Sequence, residues 1–316
     1  MGKIAMDDNE MPKAAITVFT VSWFSSELIK PLFLNLNEKA KFPERIKYIV
    51  IDNTAGEDKT LSLLGQAGIP IEIYLNDARK AAGSVGHSLG LNFAMNKIES
   101  EFALAVDPDV YVFKSNWDGF CIDEIKNKNC SAIGTAYPGW QLGKYHNFPS
   151  PVFCFFRTAD LKAMGCDWTP FSKNPFVTGC DFVKRQTLRC GLLINRKRYQ
   201  KYPALSNFAT QMENLIGICS RDTGWRIAKK AGESKKTALL FNAVLPDENV
   251  PGHETAAFGK LAGQFELYYY LNEAVLTHKY STLSPIWRTA GGEDLRFWRE
   301  CIRHFQNEII NQNSAK

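Results

Sequence analysis

Apolar residues in the first third of the chain cluster in short runs, and between the runs they recur at helical spacing. The runs are typical of buried strands and lie at residues 15–21, 46–51, 71–74 and 102–106. The helical spacing predicts helices that begin at Ser25, near Leu61 and near Ser84. Strands separated by helices of these lengths predict βαβ units and a parallel sheet.

After Tyr111 the alternation becomes less regular. Strands are predicted at residues 152–156 and 238–241, and helices at 180–190 and 222–231. The stretch 242–263, rich in proline, glycine and acidic residues, predicts a loop, and residues 261–274, with three consecutive tyrosines, predict a helix. The whole pattern predicts an α/β fold with a mostly parallel central sheet flanked by helices and a less regular C-terminal half.

The last predicted helix, residues 293–310, carries one apolar stripe and, beside it, three arginines. The stripe consists of Leu295, Trp298, Ile302, Phe305 and Ile309. We favour docking of this stripe on the body of the protein, and a dimer contact or a contact with a membrane surface are the alternatives.

Composition and charge exclude several classes of protein. The chain has 316 residues, 45% of them hydrophobic and 22% charged, as in ordinary soluble globular proteins. Its net charge of +5 is spread out, and no basic tract interleaved with aromatic residues indicates nucleic-acid binding. No apolar stretch approaches the roughly 20 residues that span a bilayer, and residues 1–13 do not have the hydrophobic core of a signal peptide.

The cysteines indicate a redox compartment. Eight of them are scattered along the chain without a Cys-x-x-Cys pair, which argues against a zinc cluster. Without a secretion signal, the same scatter argues against a disulfide framework. We therefore expect reduced thiols in a cytoplasmic protein. Peripheral binding to a membrane surface through the last helix is the alternative.

Two carboxylates stand one residue apart where the apolar run 102–106 ends, in the triplet Asp107-Pro108-Asp109. In open α/β sheets ligands bind outside the carboxyl ends of the strands, which is where we expect the triplet to lie. Paired carboxylate oxygens suit Mg²⁺ or Mn²⁺, and such an ion can neutralise a diphosphate. A solvated turn is the alternative interpretation of an isolated Asp-x-Asp.

Three segments occur in the order and spacing of one known family. They are the strand 16–22 with the later strand end 50–53, the Gly-x-x-x-Gly-x-Asn segment 86–92, and the strand 104–110 that ends in Asp-Pro-Asp-Val. On these segments the chain resembles the family 2 glycosyltransferases, in particular their rhamnosyltransferase-like members. The resemblance implies a GT-A fold. It also implies metal-dependent, inverting transfer of a hexosyl or deoxyhexosyl group from a nucleotide-diphosphate sugar to an acceptor hydroxyl.

The same resemblance implies a donor pocket built from the ends of these segments. Asp52 would accept the base N–H of a uracil- or thymine-like nucleotide, with an Asx-turn that opens the loop 53–56 as the alternative. Thr20 and Ser22 would line the nucleoside pocket. Residues around the following helix would approach the ribose and phosphates, namely Asn76, Gly86, Gly90 and Asn92. Tight packing of helix on sheet is the alternative for the two glycines.

For the metal, the resemblance implies that Asp107 would reach the ribose, or the ion through water, and that Asp109 would bind the ion directly. The expected cofactor is Mn²⁺ or Mg²⁺, which stabilises the leaving diphosphate. A third protein ligand in this fold is commonly a downstream histidine. His253 is the first candidate and His278 the second.

The base that takes the proton from the acceptor hydroxyl has two candidates. Asp181, within 179–185, and Asp222, at the start of a predicted helix, both resemble aspartates of the family. A helix N-cap is the alternative role for each. We favour Asp222, because the strand 238–241 and then His253 follow it in the order found in the family.

These assignments divide the chain into a flexible N-terminus, a nucleotide-sugar-binding half, an acceptor-side catalytic half and a C-terminal helix, at residues 1–13, 14–115, 116–290 and 291–316. The expected partners are a nucleotide-diphosphate sugar and a saccharide or other hydroxyl acceptor. A non-catalytic nucleotide-sugar-binding protein and a sugar-phosphate nucleotidyltransferase are the alternative functions. The latter class typically has a Gly-rich loop after its first strand, where this chain has Ser-Trp-Phe-Ser-Ser-Glu at 22–27.

Overall fold

The fold is that of the computed structural model of the chain. The model describes residues 15–81, 83–138, 144–165, 167–170, 175–176, 179, 204, 222–245, 250, 255–281 and 292–314. The helix predicted at 180–190, which contains Asp181, lies outside the described residues, and so does His253.

In the described ranges, ten strands form one sheet. They are β1 (Ile16–Ser22), β2 (Ile46–Asp52), β3 (Ile71–Leu75), β4 (Phe102–Val106), β5 (Val110–Val112), β6 (Ala132–Thr135), β7 (Phe153–Arg157), β8 (Ala238–Ala243), β9 (Phe265–Tyr270) and β10 (Glu273–Ser281). Across the sheet the order is β3-β2-β1-β4-β7-β6-β8-β9-β10-β5. The neighbours from β3 to β4 are parallel, as the βαβ pattern predicts. Beyond β4 the pairs are antiparallel, except for the parallel pair of β6 with β8.

Helices accompany the strands along the chain. The α-helices with described bounds are α1 (Ser26–Lys39), α2 (Ser84–Met95), α3 (Trp117–Asn127), α4 (Thr158–Ala163), α5 (Trp225–Glu233), α6 (Ala256–Gln264) and α7 (Gly292–Ser314). Two 3₁₀ helices span Pro43–Arg45 and Lys59–Ala67, the second in place of the short helix predicted near Leu61. Among the described helices, none combines the length and the apolarity needed to cross a membrane.

Alternate residues of the central strands face two different hydrophobic cores, which explains why these strands are unbroken apolar runs. From β1, Ile16 and Val18 pack with residues of α1 and α3, whereas Phe19 and Val21 pack with residues of α2 and α5. All four side chains are at most 6% exposed. The predicted α/β architecture, a central sheet flanked by helices, is confirmed.

Gly134 in β6 lies where the sheet leaves no room for a side chain. A Cβ atom there would stand 1.9 Å from the carbonyl oxygen of Phe153 on β7. Because a backbone oxygen cannot rotate away, we expect Gly134→Ala to lower the free energy of unfolding by about 3 kcal/mol. Gly232→Ala is the matched control, because Gly232 in α5 faces open space, and it should be neutral or stabilising by up to about 1 kcal/mol. Chemical denaturation measures both, and equal stabilities would contradict the close approach.

The predictions for residues 242–274 are wrong in part: a helix stands at 256–264, and strands stand at 265–270 and from 273 onward. Within the stretch predicted as a loop, α6 forms because Thr255 caps it, its hydroxyl accepting the Phe258 N–H at 3.3 Å. The helix predicted at 261–274 ends at Gln264 and is followed by the hairpin of β9 and β10.

The hairpin forms for two physical reasons. Residues 265–270 are rich in aromatic side chains, which fit a strand that is buried on both faces. Leu271 and Asn272 then adopt φ of 48° and 64°, the left-handed conformation that a two-residue hairpin turn requires. Neither β10 nor the short β5, with which it pairs, was predicted from the sequence.

The C-terminal helix docks on the body of the protein, as predicted. Leu295, Trp298, Ile302 and Phe305 are buried in a cluster that also contains residues of α6 and β9. Ile309, the last residue of the stripe, is partly buried against the same cluster.

One of the three arginines of α7 takes part in this docking. Pro31 in the middle of α1 has no N–H, so the carbonyl of Glu27 lacks its usual partner within the helix. The Arg299 guanidinium donates to that carbonyl at 3.3 Å. A contact from α7 therefore satisfies a backbone group that the proline leaves open.

Candidate metal centre

Asp107 and Asp109 follow β4 at the carboxyl end of the parallel strands, and His278 of β10 meets them there. One ligand atom from each residue, two carboxylate oxygens and one imidazole nitrogen, lies within 4.8 Å of the other two. His278 Nε2 is 3.3 Å from Asp109 Oδ1. Two carboxylates and an imidazole at this spacing could hold a divalent cation and leave coordination positions for ligand oxygens.

Backbone hydrogen bonds hold the triplet in place from two sides. The Asp107 N–H donates to the carbonyl of Val152 at 3.2 Å, and the carbonyl of Asp109 accepts the Lys279 N–H at 3.0 Å. The antiparallel pairing of β5 with β10 places His278 opposite Val110. The site is thus assembled from distant parts of the chain. Of the two predicted histidines, His278 lies beside the triplet, and His253 lies outside the described residues.

His278 is oriented by a buried carboxylate behind it. Glu266 of β9 accepts a hydrogen bond from His278 Nδ1 at 2.9 Å and another from the Tyr268 hydroxyl at 2.8 Å. Burial alone favours the neutral imidazole, but Asp109 and Glu266 outweigh it and raise the pKa of His278 well above its ordinary value. A carboxylate on Nδ1 fixes the tautomer in which Nε2 can face a metal.

The two carboxylates of the triplet differ in their surroundings. Burial raises the pKa of Asp107, and the nearby Asp109 and Asp222 add to this effect, while His87 and His278 oppose it. Burial acts on Asp109 in the same direction, but the adjacent His278 outweighs it and holds the pKa of Asp109 below its ordinary value. A divalent cation would relieve the repulsion between the carboxylates, so the donor set fits such an ion.

Asp222, the favoured base, lies near enough to act on Asp107 but is engaged by a buried cation. Its carboxylate forms an ion pair with Lys144 and accepts hydrogen bonds from Ser84 Oγ at 3.2 Å and from the Thr223 N–H at 3.0 Å. Burial disfavours the charge on Asp222, but Lys144 outweighs burial and lowers the pKa of the carboxyl. While this ion pair persists, Asp222 is a weak base.

The conformation of the chain after Asp222 requires a glycine at position 224. Its φ of 90° lies in the left-handed region, and a Cβ atom on it would stand 2.3 Å from the Tyr145 hydroxyl oxygen. Gly224, and not Asp222, occupies the N-cap position of α5. The carboxylate of Asp222 is therefore directed to Lys144 and Ser84 rather than to the first turn of the helix.

Asp52 ends β2 as predicted, and its carboxylate makes the Asx-turn that was the alternative interpretation. It accepts the Thr54 N–H at 2.8 Å, the Thr54 hydroxyl at 2.6 Å and the Gly56 N–H at 2.9 Å. The residue is 1% exposed. Binding of a nucleobase by Asp52 stays a prediction.

Thr20 and Ser22 lie in β1, with Ser22 paired to Asp52 at the end of β2. Both are fully buried. The Ser22 hydroxyl accepts the Ser25 N–H at 3.3 Å, which shapes the loop before α1. Their contact with a nucleoside also stays a prediction.

Gly90 packs α2 closely on the sheet. A Cβ atom on Gly90 would stand 2.7 Å from Val21 and 2.9 Å from the side-chain oxygen of Asn53, so tight packing, the alternative interpretation, accounts for this glycine. A Cβ atom on Gly86 would instead stand 3.1 Å from the carbonyl of Ala81 in the loop before α2, and Asn53 donates to the carbonyl of Gly86 at 2.7 Å. Contact of either glycine with the ribose or phosphates stays a prediction.

The two predicted asparagines belong to structural networks. Asn76 donates to the side-chain oxygen of Asn53 at 2.7 Å. Asn92 accepts the Trp168 N–H at 2.8 Å and donates to Asp167 at 3.3 Å, so it anchors the segment after α4. Direct contact of either residue with ribose or phosphate stays a prediction.

Three residues of the site were not singled out from the sequence. The role of Glu266 becomes visible only from the pairing of β9 with β10. For Lys144, no local sequence pattern predicts its contact with Asp222. His87 had a signal, since it lies inside the Gly86-to-Gly90 segment as a histidine one helical turn before the buried Leu91.

Comparison with known proteins was made by sequence and by structure. No protein-family model matches the chain, and no curated protein matches it. Among solved structures, it is similar to mannosyltransferase PcManGT from Pyrobaculum calidifontis in complex with GDP-Man and Mn²⁺, at 13% identity and a TM-score of 0.39, over 48% of this chain and 47% of that one. It is also similar to residues 1–349 of S. aureus TarS, at 17% identity and a TM-score of 0.38, over 48% of this chain and 50% of that one. In its complex with UDP-GlcNAc, TarS 1–349 gives 16% identity and a TM-score of 0.38, over 48% of each chain. The chain thus spans about half the length of the structures that it matches.

Proposed function

We propose that the protein is a glycosyltransferase that moves a hexosyl or deoxyhexosyl group from a nucleotide-diphosphate sugar to an acceptor hydroxyl, with inversion. The observation that carries the proposal is the convergence of Asp107, Asp109 and His278 at the carboxyl end of the parallel strands. Ligands of open α/β sheets bind at this edge, and a divalent cation there can neutralise a diphosphate. The strand segments that resemble the family end at this edge, and the segment 86–92 begins beside it.

Asp107, Asp109 and His278 would hold Mn²⁺ or Mg²⁺, which when bound supplies Lewis-acid stabilisation of the leaving nucleoside diphosphate. Glu266 keeps the Nε2 atom of His278 available to the ion. The backbone bonds of the triplet to Val152 and Lys279 keep both carboxylates in place without the ion.

Asp222 is the proposed base. As the acceptor oxygen bonds to the anomeric carbon, the bond from that carbon to the diphosphate breaks, and the hydroxyl proton passes to the Asp222 carboxylate. For this to occur Lys144 has to release Asp222, and the negative charge of a bound diphosphate next to Asp107 provides an alternative partner for the ammonium group.

The ion pair between Asp222 and Lys144 is also the observation that favours a second candidate, a non-catalytic nucleotide-sugar-binding protein. A carboxylate that stays paired cannot accept a proton. We place the protein in the cytoplasm in either case. Among the described cysteines, the buried Cys121, Cys130 and Cys301 are free thiols, which fits a reducing compartment.

Thermal unfolding with a panel of UDP-, GDP-, dTDP- and CDP-sugars, each with and without Mn²⁺, tests the proposal. We expect one nucleotide to raise the melting temperature by about 5 °C or more at a hundredfold excess over its Kd, and only with Mn²⁺ present. Asp109→Ala should lose this metal-dependent increase. A metal-dependent shift without transfer to any acceptor would favour the binding protein, and no shift with any nucleotide would contradict both candidates.

A further inference from the structure

A second imidazole, carried by α2, reaches the acidic triplet. His87, in the first turn of α2, places Nε2 3.4 Å from Asp107 Oδ1, and its side chain is 25% exposed. Asp107 is thus adjacent to one imidazole, as Asp109 is to that of His278. In the described part of the chain, Asp107 is the polar side chain that the His87 ring contacts.

The position of His87 follows from the close packing of α2 on the sheet. Gly90 brings the helix against Val21 of β1, and Asn53 binds the carbonyl of Gly86 at 2.7 Å. Leu91, one turn after His87, is buried in the core between helix and sheet. His87 therefore continues the sheet-facing stripe of α2 to the end of the helix that lies beside the metal centre.

His87 is not a fourth ligand in this arrangement. The ligand atoms of Asp107, Asp109 and His278 lie within 4.8 Å of one another, and the His87 nitrogens do not belong to that group. An imidazole that contacts a ligand carboxylate without reaching the ion can still orient that carboxylate. Such outer partners typically change metal affinity 10–100-fold. Glu266 has the corresponding place behind His278.

We propose that His87 is a positioning residue for the metal: it holds the Asp107 carboxylate in the orientation that Mn²⁺ or Mg²⁺ requires. The inference rests on the proposed function, since that function supplies the ion. It assigns to α2 a part in metal binding that is separate from its packing on the sheet. The predicted consequence is a change in affinity for the metal alone, in the absence of any nucleotide.

Titration of the full chain with Mn²⁺, followed by the electron paramagnetic resonance signal of the free ion, tests this inference. We expect His87→Leu, which keeps the apolar packing of α2, to weaken Mn²⁺ binding about 10–100-fold. His87→Gln, whose amide nitrogen reaches the place of Nε2, should stay within about threefold of the unmodified chain. His304→Leu is the matched control, because His304 lies on the exposed side of α7 and should leave the affinity unchanged.

Asp109→Ala in the same titration tests the metal centre separately from the positioning role of His87. If Asp109→Ala loses Mn²⁺ and His87→Leu binds as tightly as the unmodified chain, the positioning role is wrong and the metal centre stands. If Asp109→Ala binds Mn²⁺ normally, or the unmodified chain does not bind it, the metal centre is wrong and the role of His87 falls with it. Should His87→Leu fail to fold, His87→Asn, which is too short to reach Asp107, takes its place with the same expected loss.

Discussion

Asp109→Ala abolishes sugar transfer in our expectation, with kcat/KM lowered at least about a thousandfold. The reason is that stabilisation of a leaving diphosphate by a bound divalent ion is worth several kcal/mol. The fold should persist, because His278, the partner of Asp109, remains held by Glu266. The loss is measured as steady-state sugar transfer from the donor that thermal unfolding identifies. The melting temperature without metal should change by only a few degrees, roughly the change that a surface substitution causes.

Asp123→Ala is the control for this variant. Asp123 is an exposed carboxylate on α3, so Asp123→Ala removes one negative charge, as Asp109→Ala does, but away from the triplet. Transfer by Asp123→Ala should equal that of the unmodified chain. An Asp109→Ala protein that keeps more than about a tenth of the activity would exclude a metal-assisted mechanism at this site.

Asp222→Asn is expected to lower kcat about 10²–10⁴-fold while the donor still binds, because general-base catalysis contributes a factor of this size. The substitution also leaves the Lys144 ammonium buried without its carboxylate, which typically costs about 3–5 kcal/mol of stability. Activity alone therefore does not identify the base. The double variant Asp222→Asn, Lys144→Met removes both charges, and we expect it to regain most of the stability and none of the activity.

The comparison with Asp181→Asn decides between the two predicted bases. If Asp222 is the base, Asp181→Asn keeps kcat within a few-fold, and the donor-induced increase in melting temperature is the same in both single variants. A large loss of kcat in Asp181→Asn, with activity retained in the Asp222 double variant, would transfer the role to Asp181 and make the buried ion pair a purely structural feature.

The parallel half of the sheet could be predicted because its signals are local. The strands β1, β2 and β4 are buried on both faces, so each is a largely apolar run, and the helices α1 and α2 keep a helical period. The edge strand β3 is partly exposed, but its residues are still typical of a strand. The hairpin of β9 and β10 could not be predicted in the same way. Because both faces of β9 are buried, the aromatic residues of 265–270 show no alternation of apolar and polar positions. Together with residues 261–264 they also make a stretch long enough for a helix.

The residues of the candidate site also differ in whether local sequence predicts them. Asp107 and Asp109 are neighbours in sequence at a strand end, so their meeting is a local property. The approach of His278 depends on the register of β10 against β5, which no local pattern encodes, and the role of His253 stays a prediction. Asp222 was found by resemblance, but its ion pair with Lys144 joins segments that only the folded chain brings together.

The pairing of β5 with β10 has a consequence for how the protein is made. A nascent chain that ends after residue 115 contains both carboxylates of the candidate metal centre but neither His278 nor Glu266. The centre becomes complete only when the last hairpin has been synthesised and has closed a very long loop onto β5, a non-local contact of the kind that forms slowly. Metal uptake would therefore mark the end of folding rather than guide its beginning, and the ion would reach only those chains that have completed the sheet.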